Sequence, residues 1–156
     1  MLANPILLDA NLLVLLVVGL ASPSRISQHK RLRTFTAGDF ELLQGILSRA
    51  PRIIVTPNVV TEVSNLADGG FNGSARDRIY AVLRTLLTEM REIPIPSVQA
   101  AGHPDFIRLG LTDAALLDIL ATENATLLTV DLDLYLAALR QGHRAENFNH
   151  HIEANR

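Results

Sequence analysis

Asp9, Glu62, Asp113 and Asp131 are four acids of this chain whose positions could do chemistry together. Asp9 ends the apolar run "ILL" and Asp131 ends "LLTV", so each stands where a buried strand gives way to a helix. Glu62 lies in "TPNVVTEVSNLA", the helix after the strand-like "RIIV". Asp113 opens "GLTDAALLDILATEN", the helix before the strand "TLLTV". In open parallel sheets, ligands bind at the carboxyl ends of the strands, where these acids fall. Carboxylates gathered there repel: two unit charges about 4 Å apart cost about 4 kcal/mol at an effective dielectric near 20. Protonation or a cation must relieve that cost. Oxygen ligands in a chain with 0 cysteines suit Mg²⁺ or Mn²⁺. Such an ion activates water and clamps a phosphate during an in-line displacement.

Each acid has a plainer role when taken alone. Asp9 and Asp131 are good helix N-caps, Asp113 favours the positive end of a helix dipole, and Glu62 suits a solvated helix face. Helical spacing adds information for two of them. Leu116, Leu117 and Leu120 follow Asp113 at i+3, i+4 and i+7, which puts Asp113 at the head of the apolar stripe. Asp118 falls on another face. Glu62 flanks the stripe Val59, Val63 and Leu66, with Asn58 at i−4 and Asn65 at i+3. That seam contains no lysine or arginine to neutralise it.

The elements that must position these acids alternate between strand and helix. "PILL" is strand-like and leads into a helix from about Asn11 to Leu20. Thr36, with Asp39 three residues on, predicts a capped helix through "TAGDFELLQGILSRA". Thr56 and Pro57 predict the start of the helix that carries Glu62. "SARDRIYAVLRTLLTEM" is helical, and "REIPIP" is an edge segment because proline is excluded from central strands. A loop follows, then the Asp113 helix, capped by Thr112. "TLLTV" leads into the helix "DLDLYLAALRQG", closed by Gly142, and "RAENFN" is a last short strand. The strand runs are apolar without alternation, the pattern of a parallel sheet covered on both faces. The expected fold is a three-layer α/β/α sandwich around a central, mainly parallel sheet. A single domain would occupy 1–149, with a polar tail over 150–156.

Composition narrows the class. The 156 residues are 48% hydrophobic, which suits one globular domain with a sizeable core. The most lipid-like run, Leu12–Ala21, has ten residues, too few to span a bilayer, so it reads as a buried helix and no membrane partner is expected. Absence of cysteine fits a reducing cytoplasm. Net charge is −2, yet Arg25, Lys30, Arg31 and Arg33 crowd into "RISQHKRLR", a basic connection suited to phosphate contacts. The five histidines do not predict zinc: His150 and His151 are adjacent in the expected tail, and His29, His103 and His143 lie in loops or at a helix end.

The blocks "LLDANLLV", "TPNVVTEVSNL", "LTDAALLDIL" and "LLTVDLDLY", in that order, resemble the PIN domain, and specifically the VapC-like ribonucleases of bacterial toxin–antitoxin systems. The resemblance covers nearly the whole chain. It implies a Mg²⁺- or Mn²⁺-dependent endoribonuclease that hydrolyses RNA phosphodiester bonds. Asp9, Glu62, Asp113 and Asp131 would hold metal directly or through water, Asn11 and Thr129 would order them, and Asp133 would be an accessory acid. It further implies a homodimer held inactive by a cognate antitoxin. The rival from the residues is an RNA-binding or partner-docking module without catalysis. A haloacid dehalogenase-type phosphotransferase with Asp131 as nucleophile fits poorly, since Leu134 and Tyr135 replace the small hydroxyl residues that would follow.

Overall fold

A computed structural model describes residues 4–156 of the chain. Its elements run β1 (Ile6–Leu8), α1 (Ala10–Ala21), a 3₁₀ segment (Pro23–Gln28), α2 (Ala37–Ser48), β2 (Ile53–Val55), α3 (Pro57–Leu66), α4 (Gly73–Leu87) and β3 (Arg91–Glu92). They continue through α5 (Ser97–Ala101), α6 (Phe106–Leu109), α7 (Leu111–Thr122), β4 (Thr126–Thr129), α8 (Leu132–Arg140), β5 (Arg144–Asn147) and α9 (Phe148–Ala154). The five strands form one sheet in the order β3-β2-β1-β4-β5, and every pairing is parallel. Helices flank it, giving the three-layer α/β/α sandwich. No helix of the described residues is long and apolar enough to cross a membrane.

Why the chain folds this way is plainest at the centre. β1 and β4 are buried apolar strands in the middle of the sheet, paired Leu7 to Leu127 and Leu8 to Leu128. α1 is apolar on nearly every face and correspondingly buried from Leu12 to Val18. It packs against α2, α3 and α4. The strand order reverses between β1 and β4: β1 leads outward to β2 and β3, and β4 leads the other way to β5. A parallel sheet opens a crevice at such a switch point, at the carboxyl ends of its strands.

Three features differ from expectation. The basic connection after α1 is an ordered, inward-anchored segment. Ile26, His29, Leu32 and Phe35 are all buried, one residue in three. His29, Leu32 and Phe35 each donate a backbone N–H to the carbonyl three residues earlier, so successive tight turns bring the same side inward. Residues 150–156 are not a free polar tail, because Phe148 and Ile152 are buried and anchor α9 through Ala154. Finally, α7 is capped by Gly110 and not by Thr112, which lies inside the helix. Gly110 has φ 89° and ψ 178°, a conformation open essentially to glycine alone.

Candidate active site

Asp9 and Asp131 stand on either side of the switch point. Asp9 follows β1 and caps α1, accepting the Ala10 N–H at 2.7 Å. Asp131 caps α8, accepting the Leu134 N–H at 3.2 Å. Between them Thr129, fully buried at the end of β4, donates its hydroxyl to Asp9 Oδ2 at 2.6 Å. The same hydroxyl oxygen accepts the Asp131 N–H at 2.9 Å. One threonine therefore fixes the ends of both central strands and the two acids they carry.

Asp113, in the first turn of α7, and Glu62, on α3, complete the group. The electrostatics show that these acids act on one another. Burial pushes the Asp113 carboxyl up to about 7, helped by Asp9, Asp131, Glu62 and Asp133 in that order. Burial also raises Asp9, opposed by hydrogen bonds from Thr129 and Ala10, with Asp131 adding repulsion. Glu62 is raised by partial loss of water and by Asp9, and lowered by Arg31. Asp118 is absent from the charges acting on Asp113, as its helical position predicts. It is not freely solvated, however: its Oδ2 is buried without a hydrogen-bond partner.

Arg31, expected among the basic residues for phosphate contacts, stands close to Glu62, a neighbourhood that the sequence does not show. It lines a cleft of roughly 610 Å³ with Asn58, Thr61, Glu62, Asn65 and Thr112, and so supplies the nearby positive charge that the α3 seam lacks. Its placement depends on His29, which lies at no exposure. His29 Nδ1 accepts the Arg31 backbone N–H at 3.0 Å, which leaves Nε2 to donate to the Ala67 carbonyl at 3.0 Å. The periodic run Ile26, His29, Leu32 was the available signal. The other expected basic residues divide. Arg25 is half-buried with its guanidinium 5.3 Å from the centre of the Phe71 ring, while Lys30 lies alongside Gly70 and both it and Arg33 are exposed. Asn11 is exposed in the first turn of α1, and Asp133 is exposed in the first turn of α8.

Among the described residues, no three acidic or histidine side chains are spaced to hold a metal ion as they stand. The donor chemistry nevertheless fits a hard divalent cation. The donors are oxygen atoms only, and burial, with repulsion from Asp9, Asp131, Glu62 and Asp133, pushes Asp113 up to about 7. Mg²⁺ is commonly held by one or two carboxylates with water filling the remaining positions. Among the described residues, the arrangement is not a preformed cage of four direct ligands.

No family model matches the chain. No curated protein matches it either. A solved structure described as a domain of a functionally unknown protein from Methanocaldococcus jannaschii is similar over 93% of this chain and 91% of that one, at 21% identity and a TM-score of 0.47. That likeness says nothing of what either chain does.

Proposed function

We propose that this protein is a Mg²⁺- or Mn²⁺-dependent endoribonuclease of the PIN kind, the toxin of a toxin–antitoxin pair. The observation that carries the reading is the pairing of Asp9 and Asp131 across the switch point through Thr129, with Asp113 within electrostatic reach of both. Asp9 and Asp131 would hold the ion, with Glu62 and Asp113 acting directly or through water. When bound, the ion supplies a lowered pKa for water and neutralises charge on the scissile phosphate. The chain's own contributions are separate. Burial raises Asp9, and Thr129 opposes that rise by donating to its carboxylate. Asp113, pushed up to about 7 in the metal-free protein, would give up its proton as the ion binds. Arg31, Lys30 and Arg33 offset the negative site for an incoming RNA backbone.

Cleavage of RNA by the purified chain with Mg²⁺ or Mn²⁺, abolished by EDTA, is the expected result. Cleavage that persists in EDTA, or no metal binding by calorimetry, overturns the metal reading.

A partner-docking role has its own support. Leu132, Leu136 and Leu139 are exposed at i, i+4 and i+7 along one face of α8. That stripe suits a protein surface, whether antitoxin or second copy, and is compatible with catalysis at the acids.

A further inference from the structure

The cleft beside Glu62 is built differently from the acid cluster it adjoins. Along α3, Asn58, Glu62 and Asn65 recur at i, i+4 and i+7, and Thr61 lies next to them, so one helix face lines the cleft. Arg31 and Thr112 also line it, and Thr112 directly precedes Asp113. At roughly 610 Å³ the cleft falls within the range of about 300–1,000 Å³ typical of small-ligand sites. Pro57 and Leu66 add apolar surface.

Those residue types select a ligand. Each asparagine amide offers both a donor and an acceptor, the combination that pairs with the edge of an unstacked base. A guanidinium offers a planar fork of donors that matches phosphate. Glu62 alone would repel a phosphate, so Arg31 is what makes this side of the site accessible to one. The bond from the Arg31 backbone N–H to buried His29 fixes the backbone from which the exposed side chain reaches the cleft.

We propose that this cleft is a nucleotide subsite for single-stranded RNA, in which Asn58 and Asn65 read the base next to the cleaved bond and Arg31 takes its phosphate. The assignment of RNA rests on the nuclease reading above, whereas the cleft's ability to hold a nucleotide does not.

The test uses the full chain, labelled with ¹⁵N and kept in EDTA, titrated separately with AMP, CMP, GMP, UMP and inorganic phosphate. The side-chain amide signals of Asn58 and Asn65 should move with at least one nucleotide and not with phosphate alone. Asn65→Ala or Asn58→Ala should weaken the preferred nucleotide about tenfold and narrow its advantage over the others, the size of one paired base contact. Arg31→Ala should weaken all four alike. Amide signals that stay fixed with every nucleotide overturn the subsite, as does an equal response to phosphate alone. If RNA is still cleaved with Mg²⁺ in that case, the nuclease reading survives. Nucleotide binding in a protein that cuts no RNA overturns the nuclease reading and supports the subsite.

Discussion

The Thr129 hydroxyl donates to Asp9 across the join between β4 and β1, 120 residues apart in sequence. It is a charge-assisted bond to a buried carboxyl, of a kind that contributes about 1.5–3 kcal/mol. Thr129→Val keeps the shape but removes both the donor to Asp9 and the acceptor for the Asp131 N–H, so it should destabilise the protein by at least that order in urea unfolding. The loss should also raise the Asp9 pKa further, because the Thr129 bond is what most opposes burial there. Half-maximal Mg²⁺ for RNA cleavage should then rise by about 10–100-fold, as for other residues that orient metal ligands. Thr129→Ser should restore most of both properties. Equal behaviour of the serine and valine variants would contradict this account.

Asp113 gives the metal-free protein a pH signature. Its pKa rises from 3.8 in the unfolded chain to about 7 in the folded one. The folded state therefore binds more protons between those values, and this group's contribution to stability falls as pH rises through that window. Asp113→Asn should remove that decline, so the stability difference between variant and wild type should grow in the variant's favour from pH 4 to pH 7. Added Mg²⁺ should raise the wild-type melting temperature more at pH 8 than at pH 5, since the ion replaces the protons. Parallel stability curves for the two proteins would show that Asp113 does not titrate in this range.

The sequence carried the frame of this site because apolar runs that end in an acid are local signals. Asp9 and Asp131 were legible as the ends of buried strands, and Thr36 with Asp39 forms the reciprocal cap their spacing predicts. What was illegible depends on distance along the chain or on very short elements. Arg31 meets Glu62 only through the tertiary fold, so a survey of α3's own neighbours could not find it. α5 and α6 are too short for a 3.6-residue period to register, and α9 is held by two apolar residues, Phe148 and Ile152, in an otherwise polar stretch. Gly110 displaced Thr112 as a cap because its positive φ turns the chain into α7, a role that composition alone does not reveal.

His29 should couple acidity to the order of the basic segment. Burial lowers its pKa, against raising by the Ala67 carbonyl, Asp68 and the Leu66 backbone, with Arg31 adding a further lowering. The folded state thus holds fewer protons than the unfolded one below about 6.5, so the contribution of His29 is intact above that pH and is lost as pH falls. This slope is opposite in sign to that of Asp113, so the difference between wild type and His29→Gln isolates it. Gly69→Ala should act on the same contact: Gly69 has φ 54°, and an added Cβ would overlap the His29 ring. A loss of about 2 kcal/mol or more is expected from the left-handed backbone and the clash together. Melting curves for Gly69→Ala that match wild type would show that the ring moves aside freely.

Asp131→Asn separates site from scaffold. The Asp131 carboxylate accepts the Leu134 N–H at the start of α8, and an asparagine oxygen caps a helix about as well. The substitution therefore keeps the cap and removes the charge. If Asp131 only caps, RNA cleavage should be nearly unchanged. If it binds metal, cleavage should fall by about 10² or more, because loss of even a residue behind a ligand costs 10–100-fold. Stability gives an independent reading. Asp131 repels both Asp9 and Asp113, so its neutralisation should leave the metal-free protein melting at the same temperature or higher. The gain from added Mg²⁺ should shrink in the same variant. Asp118 is a poor control, because its buried, unpartnered oxygen makes any substitution there a packing change as well. Asp77, exposed on α4, is the better one, and Asp77→Asn should alter neither cleavage nor the Mg²⁺ effect. Full activity in Asp131→Asn, or an equal loss in Asp77→Asn, would remove Asp131 from the site.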